Sequence, residues 1–167
     1  MKRLLPFLFT LLFVVAPLRA DGISDPSGDV ILIVHGAIEI TNGPGPAAMF
    51  DRAILESLGM QTIRTATPFT DGPITFRGPY LRDLLDILVV TGDTLHAHAL
   101  DDYNAVFPVS DAYDHDFILA IDDDRGLLSP DQFGPIWIVG PMDDDPMIGE
   151  EAMQDRWVWQ LSRIEIN

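Results

Sequence analysis

The sequence has no cysteine among its 167 residues and a single lysine, Lys2. The absence of cysteine excludes disulfide bonds, zinc–thiolate sites, iron–sulfur clusters and cysteine nucleophiles. Basic residues are scarce altogether: the chain has 10 Lys and Arg and 26 Asp and Glu, which gives a formal net charge of −16 at pH 7. A chain without a basic footprint is poorly suited to bind phosphate backbones. Nucleic acid and anionic membrane surfaces are therefore disfavoured as partners.

Long apolar runs are also missing, except at the N-terminus. Lys2 and Arg3 precede an apolar run over residues 4–15, and a small-residue segment then ends at Ala20. This order is typical of a secretory signal peptide cleaved after Ala20. A run of this length is shorter than the roughly 20 residues needed to span a bilayer. An uncleaved anchor is the alternative. The sequence thus predicts a periplasmic or secreted protein consisting of residues 21–167.

The predicted mature chain is strongly acidic and large enough for one hydrophobic core. Cleavage removes all three N-terminal cations and leaves seven arginines against 26 acidic residues, a formal charge of −19. A chain of this size buries roughly two-thirds of its unfolded surface on folding. No internal repeat or linker divides it, so we expect a single domain over residues 21–167.

Apolar periodicity predicts an α+β fold, a single compact domain of mixed β-sheets with two or three short helices. The predicted helices cover residues 46–58 and 79–88. Alternating or β-branched segments indicate strands at residues 30–34, 38–40, 61–66, 95–99, 105–109, 117–121, 136–139 and 157–166.

Two histidines are the first candidates for chemistry. His96 and His98 alternate with buried-type alanines, which places both imidazoles on one strand face at a spacing that a metal site could use. The possible third ligands are Asp101, Asp102, His115 and Asp116. The competing interpretation, which the residues favour, is a pair of solvated histidines. Nucleotide-binding loops and nucleophile elbows are absent from the sequence.

Several segments occur in an order that resembles a known family. They are TATPFTDG at 65–72, FRGPYLRDLL at 76–85, ALDDYN at 99–104 with FPV at 107–109, GPIWIVGP at 134–141, and WQLSRI at 159–164. Together they resemble the molybdopterin-binding domain family of the sulfite oxidase type, and in particular its short, exported, cysteine-free branch. The resemblance covers residues 30–166. It implies an α+β fold of mixed sheets with a cleft for the pterin cofactor.

The resemblance also implies ligands that this chain lacks. In the family one cysteine thiolate holds molybdenum, and it would lie near Thr65 to Thr67. A threonine hydroxyl is a poor replacement for that soft ligand. Trp137 and Trp159 stand where the family tends to place an arginine and a lysine that hold the anionic cofactor. We therefore expect the fold to persist without the molybdenum chemistry and without a bound cofactor.

Three functions follow as hypotheses. The first is a binding or accessory module for a small molecule or a periplasmic protein. The second is a molybdopterin-dependent oxidoreductase with ligation other than by cysteine. The third is a metal-binding module that uses His96, His98 and nearby aspartates. No catalytic residue is assigned, and the cleft candidates implied by the resemblance are Thr65, Thr67, Phe69, Tyr103, Arg125 and Trp137. Trp137 and Trp159 have a second interpretation, in which they refill an empty cleft as core residues.

Overall fold

Strands dominate the architecture of this protein, which a computed structural model describes over residues 22–167. The predicted signal peptide lies outside the described residues. Within them, eleven strands form three sheets. The strands are β1 (Val30–Gly36), β2 (Ala47–Asp51), β3 (Gln61–Thr65), β4 (Ile74–Gly78), β5 (Thr94–Ala99), β6 (Asn104–Pro108), β7 (Ile118–Ala120), β8 (Asp122–Asp123), β9 (Gly126–Leu127), β10 (Trp137–Val139) and β11 (Leu161–Ile166).

Helices are few and short. The three α-helices of the described chain are α1 (Arg52–Ser57), α2 (Leu81–Leu88) and α3 (Asp111–Asp114). Three 3₁₀ helices lie at Pro130–Gln132, Pro146–Gly149 and Glu151–Arg156. The predicted α+β class with mixed sheets is therefore confirmed. Over residues 22–167, no helix combines the length and the apolar character needed to cross a membrane.

The largest sheet has five strands in the order β2-β1-β11-β5-β6. Its centre pairs β1 with β11 in parallel, whereas its other neighbours are antiparallel. Side chains of a strand alternate between faces, and β5 shows this clearly because Leu95, Ala97 and Ala99 are buried while His96 and His98 share the other face. The predicted alternation in this strand is confirmed.

The buried apolar side chains form one cluster to which all three sheets contribute. The smaller sheets are β3-β4-β8-β9 and β10-β7. Helix α2 adds the four leucines that the sequence periodicity places on one face, and all four are inaccessible to solvent: Leu81, Leu84, Leu85 and Leu88. Apolar burial is the dominant favourable contribution to folding, so we expect this cluster to be the main source of stability in a chain without disulfides.

The helix predicted over residues 46–58 is wrong in its first half. Strand β2 occupies Ala47–Asp51 and pairs with β1, and Ala48 and Phe50 alternate into the core. The helix begins only after Asp51, whose carboxylate caps it by accepting a hydrogen bond from the backbone N–H of Ile54 at 2.9 Å. The spacing of Phe50 and Ile54 fits a helix, but sheet pairing overrides it. Gly59 follows the helix with a φ of +103°, which glycine adopts readily.

Two predicted strands also differ from the structure. Residues 38–40 form only an isolated bridge between Ile38 and Val90. The strand predicted from residue 157 begins at Leu161, because Gln160 adopts a left-handed φ of +50° that interrupts extended backbone. The sequence does not predict strands β4, β8 and β9 or helix α3, because each is at most five residues long and carries no clear periodicity.

Candidate functional site

Three aromatic side chains from distant parts of the chain surround a surface cleft. Phe69 comes from the loop between β3 and β4, Tyr103 from the turn between β5 and β6, and Trp159 from the segment before β11. The Tyr103 and Trp159 rings are stacked with an interplanar angle of 13° and centroids 6.4 Å apart, and Phe69 meets Trp159 edge-on at 4.9 Å. The cleft has a volume of about 300 Å³, and its full lining is Phe69, Tyr103, Gln154, Asp155, Trp157 and Trp159.

Two of these rings are open to solvent. Phe69 is 41% exposed and Tyr103 is 45% exposed, although both are large and apolar. Trp159 is half-buried and packs against the core. Exposed aromatic side chains that converge on one cavity are more informative than single exposed apolar residues, which are common on all protein surfaces. We therefore take this aromatic cleft as the candidate site.

Local hydrogen bonds fix the loop that carries Phe69. The Phe69 backbone N–H donates to the Thr67 hydroxyl at 3.1 Å. The Thr70 hydroxyl in turn accepts from the Thr67 backbone N–H at 3.1 Å and donates to the Gly72 carbonyl at 3.0 Å. Thr67 is itself buried. Threonine hydroxyls that satisfy neighbouring backbone groups are typical of ordered turns, so this loop presents Phe69 in a defined position.

The turn that carries Tyr103 is tied to the segment that carries Trp159. Asp102 adopts a φ of +67°, and the Tyr103 backbone N–H donates to the Asp101 carboxylate at 3.1 Å. At the base of the turn, the Leu100 backbone N–H donates to the Gln160 carbonyl at 2.9 Å. The Tyr103 turn and the Trp159 segment are therefore held together by a backbone hydrogen bond as well as by the stacking of the two rings.

Left-handed backbone clusters at the cleft. Four non-glycine residues in the described chain have positive φ; Asp102 and Gln160 lie in the segments that carry Tyr103 and Trp159, and Phe133 lies in a neighbouring turn. The Gln160 backbone N–H donates to the Phe133 carbonyl at 2.8 Å, and the Phe133 ring contacts Trp159 with centroids 5.9 Å apart. Left-handed non-glycine residues cost of order 1–3 kcal/mol each and concentrate at binding sites. Their grouping here supports a functional interpretation of the cleft.

Asp155 is the one charged side chain that lines the cleft. It forms an ion pair with Arg156, which also bonds Asp111 with Nε and Oδ2 2.9 Å apart. Burial works to lower the pKa of Arg156, but the hydrogen bonds that its guanidinium donates to Asp155 and Asp111 outweigh this effect and raise that pKa. Arg156 is not part of the lining. The cleft therefore presents aromatic faces and a carboxylate.

Trp137, predicted as a cleft residue or a core residue, lies in the core. It is 0% exposed and packs against Phe76 and Phe133, with ring centroids 5.4 and 4.6 Å away. Its indole Nε1 is buried and has no hydrogen-bond partner. Trp159, predicted to stand in place of a cation or to refill the cleft as a core residue, is half-buried and lines the cleft. Trp159 owes its position to the left-handed backbone of its neighbour Gln160. Because a glutamine in this conformation has no sequence signature, the sequence carries no signal that singles out Trp159.

Thr65 and Arg125, the other cleft candidates, have local partners instead. The Thr65 hydroxyl donates to the Ala66 carbonyl at 2.9 Å and accepts from the Asp143 backbone N–H at 3.3 Å. Arg125 forms an ion pair with Asp123 within the β8–β9 hairpin. Neither residue belongs to the lining of the aromatic cleft. Among the six predicted cleft residues, the structure brings only Phe69 and Tyr103 to its rim and Thr67 behind it.

These contacts do not fit the molybdenum cofactor that the sequence resemblance implies. Molybdenum in that setting takes a soft thiolate, whereas the Thr65 and Thr67 hydroxyls are hard oxygen donors already used in hydrogen bonds. Arg125, the one cation among the predicted cleft residues, is paired with Asp123. Thr65, Thr67 and Arg125 therefore offer neither a soft ligand for molybdenum nor an unpaired cation for the cofactor phosphate.

His96 and His98 share a face of β5, as predicted, but gather no metal-ligand set. His98 Nδ1 contacts the Asn104 side-chain oxygen, and His98 Nε2 lies 4.0 Å from Glu165, too far for a hydrogen bond. Across residues 22–167, no group of three or more His, Cys, Asp or Glu is placed to hold a metal ion.

In comparisons with known proteins, no family model and no curated protein sequence matches this chain.

Proposed function

We propose that this chain is an exported binding or accessory module, and that the aromatic cleft of Phe69, Tyr103 and Trp159 is its ligand site. The observation that carries the proposal is the convergence of three segments, far apart in sequence, on one solvent-open cavity with aromatic walls. Ligand sites in proteins are concave, mostly apolar and lined by a few polar groups. Gln154 and Asp155 supply those polar groups.

We further propose that the fold of this chain derives from the sulfite oxidase-type family that its sequence resembles. In this interpretation the chain keeps a molybdopterin-domain-like arrangement of mixed sheets and has lost the cofactor. The support is the mixed α+β architecture together with the poor fit of Thr65, Thr67 and Arg125 to the cofactor. The module would then act by binding through its aromatic cleft.

Indole, a neutral aromatic probe, tests the binding proposal. We expect saturable shifts of amide resonances from Tyr103 and Trp159 and of the Trp159 side-chain N–H when indole is titrated into ¹⁵N-labelled protein. Tyr103→Ala should weaken these shifts, whereas Tyr113→Ala should not, because Tyr113 is equally exposed (46% against 45%) but does not line the cleft. Shifts scattered over the surface, with no saturation at the cleft, would contradict the proposal.

Elemental and pterin analysis tests the loss of the cofactor. The protein would be purified from the periplasm of a host that makes the molybdenum cofactor. We expect no stoichiometric molybdenum or pterin. Near-stoichiometric molybdenum would overturn this part of the proposal and favour the oxidoreductase hypothesis, with the metal held by a ligand other than cysteine.

A further inference from the structure

We propose that the ligand of the aromatic cleft is an organic cation, of the quaternary or alkylated ammonium class. The inference rests on the proposed binding function and adds the chemical class of the ligand to it. Its basis is the combination of aromatic faces, a carboxylate in the lining and the charge of the surrounding protein. Each of these three features is a separate observation.

The aromatic faces supply the first attraction. A ring carries negative charge on its face, and a cation within about 6 Å of a Trp, Tyr or Phe centroid is drawn to it. Phe69 stands at 78° to Trp159, whereas Tyr103 lies within 13° of the Trp159 plane. Rings in two orientations can contact an alkylated ammonium from more than one side, an arrangement that suits its rounded shape.

The charge of the lining points in the same direction. Asp155 is its only ionisable carboxylate, and no arginine belongs to the lining. Tyr103 also follows two exposed acids, Asp101 and Asp102, in the same turn. The carboxylate of Asp155 already forms an ion pair with Arg156. We therefore expect the aromatic rings to make the direct contacts with the cation, while Asp101 and Asp102 contribute a negative electrostatic potential around it. An anionic ligand would find no cationic side chain in this lining.

The charge of the whole chain reinforces this preference. Every cation in the described residues is an arginine, and the full sequence carries −16. A net charge of one sign attracts oppositely charged ligands and speeds their association, an effect that added salt screens. Uncharged aromatic or aliphatic ligands gain nothing from this field. The cleft should therefore distinguish a cation from a neutral molecule of the same shape.

Choline and 3,3-dimethylbutan-1-ol form the matched pair for the test, because the alcohol replaces the quaternary nitrogen by carbon. Both would be titrated into the protein and followed by the same NMR resonances, with indole as the third probe. We expect choline to bind about tenfold or more tightly than the alcohol, in line with a cation–π contribution of ordinary size. We expect choline affinity, and not alcohol affinity, to fall as salt is raised.

Variants identify the site of the effect. Tyr103→Ala should weaken choline binding severalfold, Tyr103→Phe should keep it within about twofold because the ring face persists, and Tyr113→Ala should leave it unchanged. Equal affinity for choline and the alcohol would overturn the cation inference and leave the binding function intact. Indole binding without choline binding would do the same. Failure of all three probes at the cleft would overturn both the inference and the proposed function.

Discussion

Asn42 and Met49 exchange two hydrogen bonds that close the outer edge of the five-stranded sheet. The Met49 backbone N–H donates to the Asn42 side-chain oxygen at 2.6 Å, and the Asn42 side-chain nitrogen donates to the Met49 carbonyl at 2.9 Å. Met49 lies in β2, the edge strand of that sheet. The asparagine amide thus occupies the position that a neighbouring strand would take, and protects an edge that could otherwise pair with another chain.

Asn42→Ala should therefore destabilise the protein and expose this edge. The substitution removes these two hydrogen bonds and a third, which the Asn42 side-chain nitrogen donates to the Ser24 carbonyl at 2.7 Å, at a cost of about 1–3 kcal/mol. We expect a lower urea midpoint and concentration-dependent association in sedimentation experiments. Asn42→Asp keeps the acceptor and loses the donor, so its effect on the midpoint should be smaller. Equal stability of Asn42→Ala and the parent protein would show that water replaces the amide at no cost.

Asp51 should make stability depend on acid pH. Its carboxylate accepts backbone hydrogen bonds from Ile54 at 2.9 Å, Gly28 at 2.8 Å and Ser27 at 2.7 Å, and these lower its pKa from 3.8 to about 2. Because the folded pKa lies below the unfolded one, the stabilisation is complete above about pH 4 and is lost as the pH falls towards 2.

Urea denaturation of the parent protein and Asp51→Asn at several pH values checks this. The parent should be more stable near neutral pH, and the difference should shrink between pH 4 and pH 2. Asp29→Asn, at an exposed acid near the same loop, is the control and should follow the parent. A difference that is constant over this range would mean that Asp51 titrates normally in the folded protein.

Tyr113 should ionise later than an ordinary tyrosine. Desolvation, and then the hydrogen bond from its hydroxyl to the Asp86 carboxylate at 2.9 Å, raise its pKa from 10.0 to about 12. Because the folded pKa is the higher one, its contribution to stability is present below about pH 10 and is lost as the pH rises towards 12. Ultraviolet titration should show a late tyrosine transition that Tyr113→Phe removes and Asp86→Asn moves to lower pH.

Trp137 and Tyr103 should separate core packing from ligand binding. Trp137→Ala leaves a cavity in the core and should cost about 3–5 kcal/mol of unfolding free energy. Trp137→Phe should cost much less, because it also removes an indole N–H that is buried without a partner. Tyr103→Ala should change the thermal midpoint little while it weakens ligand binding. Comparable destabilisation by Trp137→Ala and Tyr103→Ala would contradict this division.

Local patterns in the sequence predict several elements correctly. The leucine spacing over residues 79–88 predicts α2, and the alternation from Leu95 to Ala99 predicts β5 with its histidines on the outer face. Both signals survive because each element buries one face of its own against the core. The helix predicted over residues 46–58 fails, because pairing of β2 with β1 is a non-local contact that periodicity does not register.

The candidate site was harder to predict than the fold class. Phe69 and Tyr103 were chosen through a family resemblance, and the structure brings them together with Trp159. Trp137 and Trp159 both lie in segments that resemble the family, yet Trp137 is fully buried and Trp159 lines the cleft. Trp137 lies in β10, all of whose residues are buried, whereas Trp159 lies in the irregular segment before β11, beside the left-handed Gln160. Neither placement has a signature in one sequence.

The sequence by itself determined the composition-level properties of this protein: an acidic, cysteine-free chain with enough apolar residues for one α+β core. Those properties depend on residue counts and on short-range periodicity, so they need no knowledge of distant contacts. Only the tertiary structure decided which aromatic residues meet, because Phe69, Tyr103 and Trp159 approach each other through strand pairing and turn geometry across about 90 positions of chain. Long-range pairing is a collective result of packing, and single residues do not encode it.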